Sequence, residues 1–479
     1  MSKSKKIKKK IKNSIIKVIK GKQYIVSTTI VGSFMDSTGL DGISDIDIVI
    51  IVEKLNKNIF DEINNSFQKI KGSEFGLDEY DVIINNTFGP LKFDTEKNIV
   101  FHLMIYDIKG HIEHVEQSPF TCISWENYNP IMGIPLKQIY PVLNLQYSDI
   151  LESRRGLQNY LKDIDKGSIT FRKYVFNDHD KPEFIKESFE LDAKHNLEYS
   201  YHITYHLLNN FYKIATREIN SLDKENLTKF YLNFSLFPRY NVLFFKELFS
   251  WKKKGSNPPS KIIDRTRIFI NDFFSFVENC RTSSKTISFR RHEKTSLNDG
   301  TFLGIGRDPQ IKLISKKVSD IKYEIGYHSE LLRSSQTINY YHTLKSVKCS
   351  LLNEIDYGLA EGLNISQLKL KFPNIILDWE KGKDPKFPKG ECQKDVLCRV
   401  KTFLLEKLDI EKDSLVISHL VVLRMILYNY LKLDFKNIYK VNIEHLKGFD
   451  IINFNGYLSI EIGDEIRSKF RKQLSILND

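Results

Sequence analysis

A chain of 479 residues is too long for one hydrophobic core and divides into two or three domains. Its apolar share of 41% and charged share of 28% are ordinary for a soluble globular protein, and no stretch nears the ~20 consecutive apolar residues that a membrane span needs. A net charge of +12 favours polyanions, nucleic acid and phosphorylated metabolites alike, but Lys, Ile and Asn are abundant throughout, so charge alone does not single out nucleic acid.

Residues 1–20 form a basic segment whose lysines recur among isoleucines. It reads as an arm touching phosphates or a membrane surface, or as the solvated start of a helix. Its apolar run is too short for a signal peptide, and no small-residue cleavage site follows. Cys122, Cys280, Cys349, Cys392 and Cys398 are scattered and odd in number, which predicts a reducing, cytoplasmic setting.

Residues 21–130 read as a mixed α+β domain, with strands near 24–31, 46–52, 81–86 and 99–106 and a helix over 58–71. The first strand runs into Gly32-Ser33, and the second begins Asp45-Ile46-Asp47. Carboxylates two apart on a strand project from one face and can hold a divalent ion, Mg²⁺ or Mn²⁺. Gly32 lets a phosphate approach the backbone, and Ser33 can donate to it. Ile46, Ile48 and Ile50 would face the core.

Residues 131–280 read as a helical domain, with long helices over 149–165, 184–216, 223–251 and 262–277, broken by the Gly, Asn and Pro cluster at 255–260. After a linker at 281–285, strands and helices alternate to residue 479, as in an α/β domain. Here Arg291-His292 follows a strand-like stretch, and Ser418-His419 ends another 127 residues after His292. Two histidines at two strand ends can converge over one phosphate. His111 with His114, and His202 with His206, carry little weight as metal pairs, and the lysines at 252–254 read as a solvated run.

Gly32-Ser33, a spacer and Asp45-Ile46-Asp47-Ile48 together resemble the signature of the DNA polymerase beta-type nucleotidyltransferase superfamily. The resemblance implies a nucleoside triphosphate as donor, with Asp45 and Asp47 as metal ligands and Gly32 and Ser33 against its phosphates. It also implies a third carboxylate from a neighbouring strand. Asp107 is the preferred choice for this catalytic and metal-binding role, with Asp94 or His102 as alternatives.

Phe289-Arg290-Arg291-His292-Glu293-Lys294-Thr295, with Asn298 and Arg307 after it, resembles the histidine phosphatase, or phosphoglycerate mutase-like, superfamily. Further blocks follow in family order: the segment carrying Arg333, Leu352-Asn353-Glu354-Ile355-Asp356, Pro388-Lys389-Gly390-Glu391 and Val416-Ile417-Ser418-His419. They are most similar to the fructose-2,6-bisphosphatase branch. The resemblance implies a three-layer α/β/α domain needing no metal. His292 would be the nucleophile, Arg291, Arg333 and His419 would bind the phosphoryl group, and Glu354 would be the acid, with Glu361 as the alternative. Asn298 and Arg307 would line the substrate. One departure stands out: Glu293 replaces the family's glycine after the nucleophile.

The sequence therefore predicts a bifunctional cytoplasmic enzyme. A nucleoside monophosphate would pass from the triphosphate to a small phosphorylated or hydroxyl-bearing metabolite, and a phosphomonoester would be hydrolysed. The alternatives are an enzyme processing RNA or DNA ends, which places nucleic acid among its partners, and a nucleotide-sensing scaffold with a degenerate phosphatase domain.

Overall fold

The computed structural model of the protein describes residues 3–478 apart from 38, 40–44, 90–96, 153–156, 192, 235, 255–259, 313–317, 432 and 434. Asp94 lies outside the described residues.

The amino-terminal sheet is built from β1 (Ile25–Val31), β2 (Ile46–Val52), β3 (Asp81–Asn85), β4 (Asn98–Asp107) and β5 (Met132–Gly133), in the order β3-β4-β2-β1-β5. β2 runs parallel to β4 and antiparallel to β1. The alternation of β2 sorts its side chains between two cores. Ile46, Ile48 and Ile50 pack beneath the sheet, and Val49 and Ile51 pack above it. The basic segment is helical over Lys3–Ile19 and is no free arm. Ile7, Ile11, Ile15 and Ile19 recur every fourth residue, so one face docks on the lower core while most of the lysines stay in water. The sheet also extends past residue 130, because β5 pairs with β1.

The central region is helical except for one hairpin, β6 (Ser168–Phe176) paired with β7 (Pro182–Glu190). The sequence reading ran a helix from residue 184. Residues 184–190 are strand, and the helix is Ala193–Thr216. Phe184 stacks on Tyr174 across the hairpin at 4.3 Å, a cross-strand pairing that helical periodicity does not register. Phe88 and Arg172 exchange backbone hydrogen bonds of 2.7 and 2.8 Å, tying the hairpin to the loop after β3.

The carboxy-terminal sheet comprises β8 (Lys285–Arg291), β9 (Lys322–His328), β10 (His342–Lys348), β11 (Ser414–Ser418), β12 (Gly448–Phe454) and β13 (Tyr457–Glu461), in the order β10-β9-β11-β8-β12-β13. β8 to β11 are parallel, and β12 and β13 close one edge antiparallel. Ser418 pairs with Arg291, so the carboxyl ends of the two histidine-bearing strands lie side by side. Among the described residues, no helix is long and apolar enough to cross a membrane.

A buried junction joins the two halves. Arg467 grips Asp149 with two hydrogen bonds of 2.8 and 3.0 Å, and the two side chains are 5% and 4% exposed. Around them Asn144 donates to the Ile460 carbonyl, and Arg471 donates to the Val142 carbonyl. Removing one member of a buried pair strands the other charge away from water. Arg467→Ala is therefore expected to cost about 3–5 kcal/mol of stability. The combined Asp149→Leu, Arg467→Met variant should recover most of that loss. Denaturant unfolding checks both, and a single variant as stable as the double would contradict the assignment.

Candidate active sites

At the start of β2, Asp45 and Asp47 share the face that carries Val49 and Ile51. The parallel register sets His102 of β4 opposite Asp47. One ligand atom from each of Asp45, Asp47 and His102 lies within 4.8 Å of the others. His102 Nδ1 is 2.7 Å from Asp47 Oδ1, and Nε2 is 2.8 Å from the Thr87 carbonyl. Burial pulls the imidazole pKa down, but hydrogen bonding and charge from Asp47, the Thr87 carbonyl and Asp45 together carry it above its ordinary value. With Nε2–H donated to a carbonyl, Nδ1 is the atom turned to the carboxylates, the arrangement a ligating histidine uses. Two carboxylates and an imidazole thus form a donor set that fits a divalent ion.

Asp107 does not join them. Five residues beyond His102, roughly 16 Å along the strand, it pairs with Val52. It follows Phe101, Leu103 and Ile105, which face the lower core, and its carboxylate caps the helix Ile108–Gln117 through Gly110 N–H. His102 occupies the place expected for Asp107.

Gly32 has φ of 74°, and a Cβ there would lie 2.8 Å from Asp47 Oδ2. Glycine thus serves both the left-handed turn and the open approach to the carboxylate. Ser33 is exposed at the start of the short helix Ser33–Asp36. A cavity of about 260 Å³ opens here, lined by Gly32, Asp47, Tyr128 and Lys213 among others. Lys213 is 4% exposed, donates to Ser124 Oγ at 2.9 Å, and is pulled down to about 8 by burial. Sequence reasoning missed this lysine. Its signal was the polar run Asn209, Asn210 and Lys213 on an otherwise aromatic helix.

In the second site, His292 and His419 follow β8 and β11, and their ring centroids are 5.0 Å apart. His292 is 3% exposed, and its Nδ1 lies 2.6 Å from the Glu293 carbonyl. A carbonyl only accepts, so the proton sits on Nδ1 and Nε2 carries the lone pair. Burial, then the Arg333 charge, hold the imidazole well below its usual pKa, and it is neutral at pH 7. His419 Nε2 is 2.7 Å from Ser329 Oγ, which also accepts from Leu331 N–H. Ser329 donating to Nε2 leaves Nδ1–H as the donor His419 offers to a ligand.

Arg333 is fully buried, donating to the carbonyls of Arg307 and Gly304. Arg291 donates to the Ile443 carbonyl. Arg291 Nε, Arg333 Nε and His419 Nδ1 are buried donors without a protein partner in the structure, a set suited to an anion. Glu354 is 6% exposed and accepts from Ile355 N–H at 3.0 Å. Burial raises its pKa against that hydrogen bond and the charges of Arg333 and Arg291.

Asn298 and Arg307 act on the loop. Asn298 is exposed, and its side-chain oxygen accepts from Thr295 N–H and Oγ1–H. Arg307 donates to Thr301 Oγ1 and the Phe302 carbonyl. The Asn298 oxygen and one Arg307 terminal nitrogen thus shape the segment after His292, while Arg307 Nε is a buried donor without a hydrogen-bond partner. Glu361 accepts from Gly304 N–H and also belongs to this loop clasp. Glu293 folds its carboxylate onto Lys294 N–H at 2.5 Å. His445, which no motif flagged, donates Nδ1–H to the His292 carbonyl at 2.7 Å, with its ring edge-on to His292 at 5.2 Å.

Two catalytic domains on two separate sheets define the class of protein. Residues 12–106 match the family model of the nucleotidyltransferase domain, and residues 305–458 match that of the histidine phosphatase superfamily, branch 1. The chain carries a nucleotidyltransferase domain at its amino end and a histidine phosphatase domain at its carboxy end, and both are enzyme families. The second match begins after His292, past the loop that departs from the family pattern. Fructose-2,6-bisphosphatase from Saccharomyces cerevisiae is 25% identical over 179 residues, 34% of this chain and 38% of that protein. The chain thus spans well under half the length of that relative. Among solved structures, an α-ribazole phosphatase from Shigella flexneri is similar over 37% of this chain and 95% of its own, with 17% identity and a TM-score of 0.31. A phosphoglycerate mutase from Bacillus anthracis is similar over 41% and 99%, with 18% identity and a TM-score of 0.30.

Proposed function

We propose that the protein transfers a nucleoside monophosphate from a nucleoside triphosphate to a small phosphorylated or hydroxyl-bearing metabolite, and separately hydrolyses a phosphomonoester through a phosphohistidine. The observation that carries the phosphatase reading is the committed tautomer of His292. Its Nδ1–H is tied to the Glu293 carbonyl, and the ring lies beside His419 with the buried donors of Arg291 and Arg333 free. Nε2 attacks phosphorus, an N–P bond forms and the ester P–O bond breaks. Glu354 gives its proton to the leaving oxygen and takes one back from the water that cleaves the N–P bond. The arginines stabilise charge on the non-bridging oxygens.

At the other site Asp45, Asp47 and His102 would hold Mg²⁺ or Mn²⁺. The ion, when bound, supplies charge neutralisation at the α-phosphate. The acceptor oxygen attacks α-phosphorus, the α–β bridging bond breaks and pyrophosphate leaves, while the hydroxyl proton passes to solvent. Lys213 offers a buried cation to the donor phosphates. Five cysteines without disulfides fit a reducing, cytoplasmic compartment. A screen of phosphate esters and nucleoside triphosphates tests both activities, with His292→Ala and Asp47→Ala proteins as controls. Equal phosphate release from every ester by wild type and His292→Ala would sink the phosphatase assignment.

Glu354 sets the pH behaviour. Because its folded pKa is raised, it is protonated below that value, and activity requiring the acid is lost as pH rises through it. Glu354→Gln should lower kcat on alkyl phosphates by about 10²–10⁴. It should spare the initial burst of p-nitrophenol from p-nitrophenyl phosphate, whose leaving oxygen needs no proton, while slowing the hydrolysis of the phosphohistidine that follows. Equal losses in that first phosphoryl transfer from both substrates would remove Glu354 from the acid role.

A further inference from the structure

We infer that the cavity on the His102 side of the metal cluster is the acceptor site, and that it selects a small alcohol carrying a phosphomonoester. The inference rests on the nucleotidyltransferase reading and specifies its second substrate. Two cavities meet at the cluster and share Ser118, Thr121, Trp125 and Tyr160. The first holds Gly32, Asp47 and Lys213, and the second, about 330 Å³, has His102 on its wall. In-line displacement places the attacking and leaving oxygens on opposite sides of phosphorus. A donor seated beside Gly32 and Lys213 therefore meets an acceptor arriving past His102.

The lining of the second cavity is unlike the first in charge. Lys162 comes from the helix Leu157–Asp165, Lys166 from the turn just after it, and Arg172 and Lys186 from the hairpin of β6 and β7. Asp163 is the one carboxylate among its described lining residues. That carboxylate accepts from Tyr199 OH and Thr170 Oγ1, each at 3.1 Å. Four cations facing one carboxylate leave an excess that a phosphate dianion can neutralise. The hairpin is not a loose flap. Its bridge from Arg172 to Phe88 sits one residue from Thr87, whose carbonyl holds His102. The Arg172 guanidinium stacks 4.8 Å from Phe184 and 5.7 Å from Phe88. Aromatic rings of Phe88, Tyr106, Trp125, Tyr160 and Tyr199 supply the remaining walls. The loop that holds the imidazole at the cluster is thus tied to the hairpin that carries Arg172 and Lys186.

The test uses full-length His292→Ala protein, so that phosphate esters survive. Mn²⁺ is bound first and followed by its spin resonance. Ribose 5-phosphate is then titrated and its ³¹P linewidth measured. Paramagnetic broadening falls off steeply with distance, so it reports this cavity and not the phosphatase site. The expected result is broadening in the parent and about tenfold weaker binding after Lys162→Ala, Lys166→Ala and Lys186→Ala together, with affinity for a non-hydrolysable triphosphate unchanged. The matching lysine-to-arginine variant should retain binding. Transfer to ribose 5-phosphate should also exceed transfer to ribose. If no Mn²⁺ binds, the underlying transferase reading falls. The acceptor assignment alone is overturned if Mn²⁺ and the triphosphate bind while the lysine variants leave the broadening unchanged. It is equally overturned if those variants weaken triphosphate binding, or if a 5′-phosphorylated oligonucleotide is a better acceptor than ribose 5-phosphate.

Discussion

Replacing His292 by alanine is expected to lower phosphomonoester hydrolysis by roughly 10⁴-fold or more, the scale on which loss of a catalytic nucleophile is felt. No other described group offers the same combination. His419 is equally buried, but its Nε2 is engaged by Ser329, and His445 Nδ1 is committed to the His292 carbonyl. Brief incubation of wild type with a ³²P-labelled ester should yield an acid-labile, base-stable labelled protein, and His292→Ala should yield none. Glu354→Gln should still label with a good leaving group and then turn over slowly, because the second step needs a base. Label that persists in His292→Ala would move the nucleophile elsewhere.

The phosphatase site was legible because its chemistry sits at strand ends. Arg291-His292 and Ser418-His419 each close an apolar strand, and parallel pairing of adjacent strands brings such ends together without further information. The blocks around Arg333 and Glu354 fill the same end of the sheet. Less legible was what the side chains do once there. Asn298 and Arg307 carry the right groups at the right spacing, yet hydrogen bonds within their own loop take up the Asn298 oxygen and one Arg307 terminal nitrogen. His445 lies in a connection with no periodicity, and only the fold brings it to the His292 carbonyl.

In the amino-terminal domain, alternation along β4 puts His102 with Met104 and Tyr106, and Asp107 on the other face. An aspartate between a strand and a helix is also a helix cap, and the structure uses Asp107 in that way. The hairpin was hidden for a different reason. Aromatic residues at three- and four-residue spacing satisfy a helical pattern, while the pairing that makes them strands comes from residues 168–176.

Asp47→Ala is expected to lower nucleotidyl transfer by roughly 10³-fold or more, because it removes a metal-ligand carboxylate and the Nδ1 partner of His102 together. Asp47→Asn should fail almost as badly, since it keeps the shape and loses the charge. Gly32→Ala approaches the same carboxylate from outside: its Cβ at 2.8 Å must displace Asp47 Oδ2 from a φ that alanine also resists. That variant should lose transfer while keeping the β2–β4 register. All three should keep phosphomonoester hydrolysis within about twofold of wild type, because Asp47 and His292 stand on different sheets. Parallel assays of pyrophosphate release and phosphate release on each protein separate the outcomes. Transfer that survives Asp47→Ala would mean that the ion is held elsewhere. A matching loss of phosphatase activity would mean that the Asp149–Arg467 junction transmits more than mechanical support.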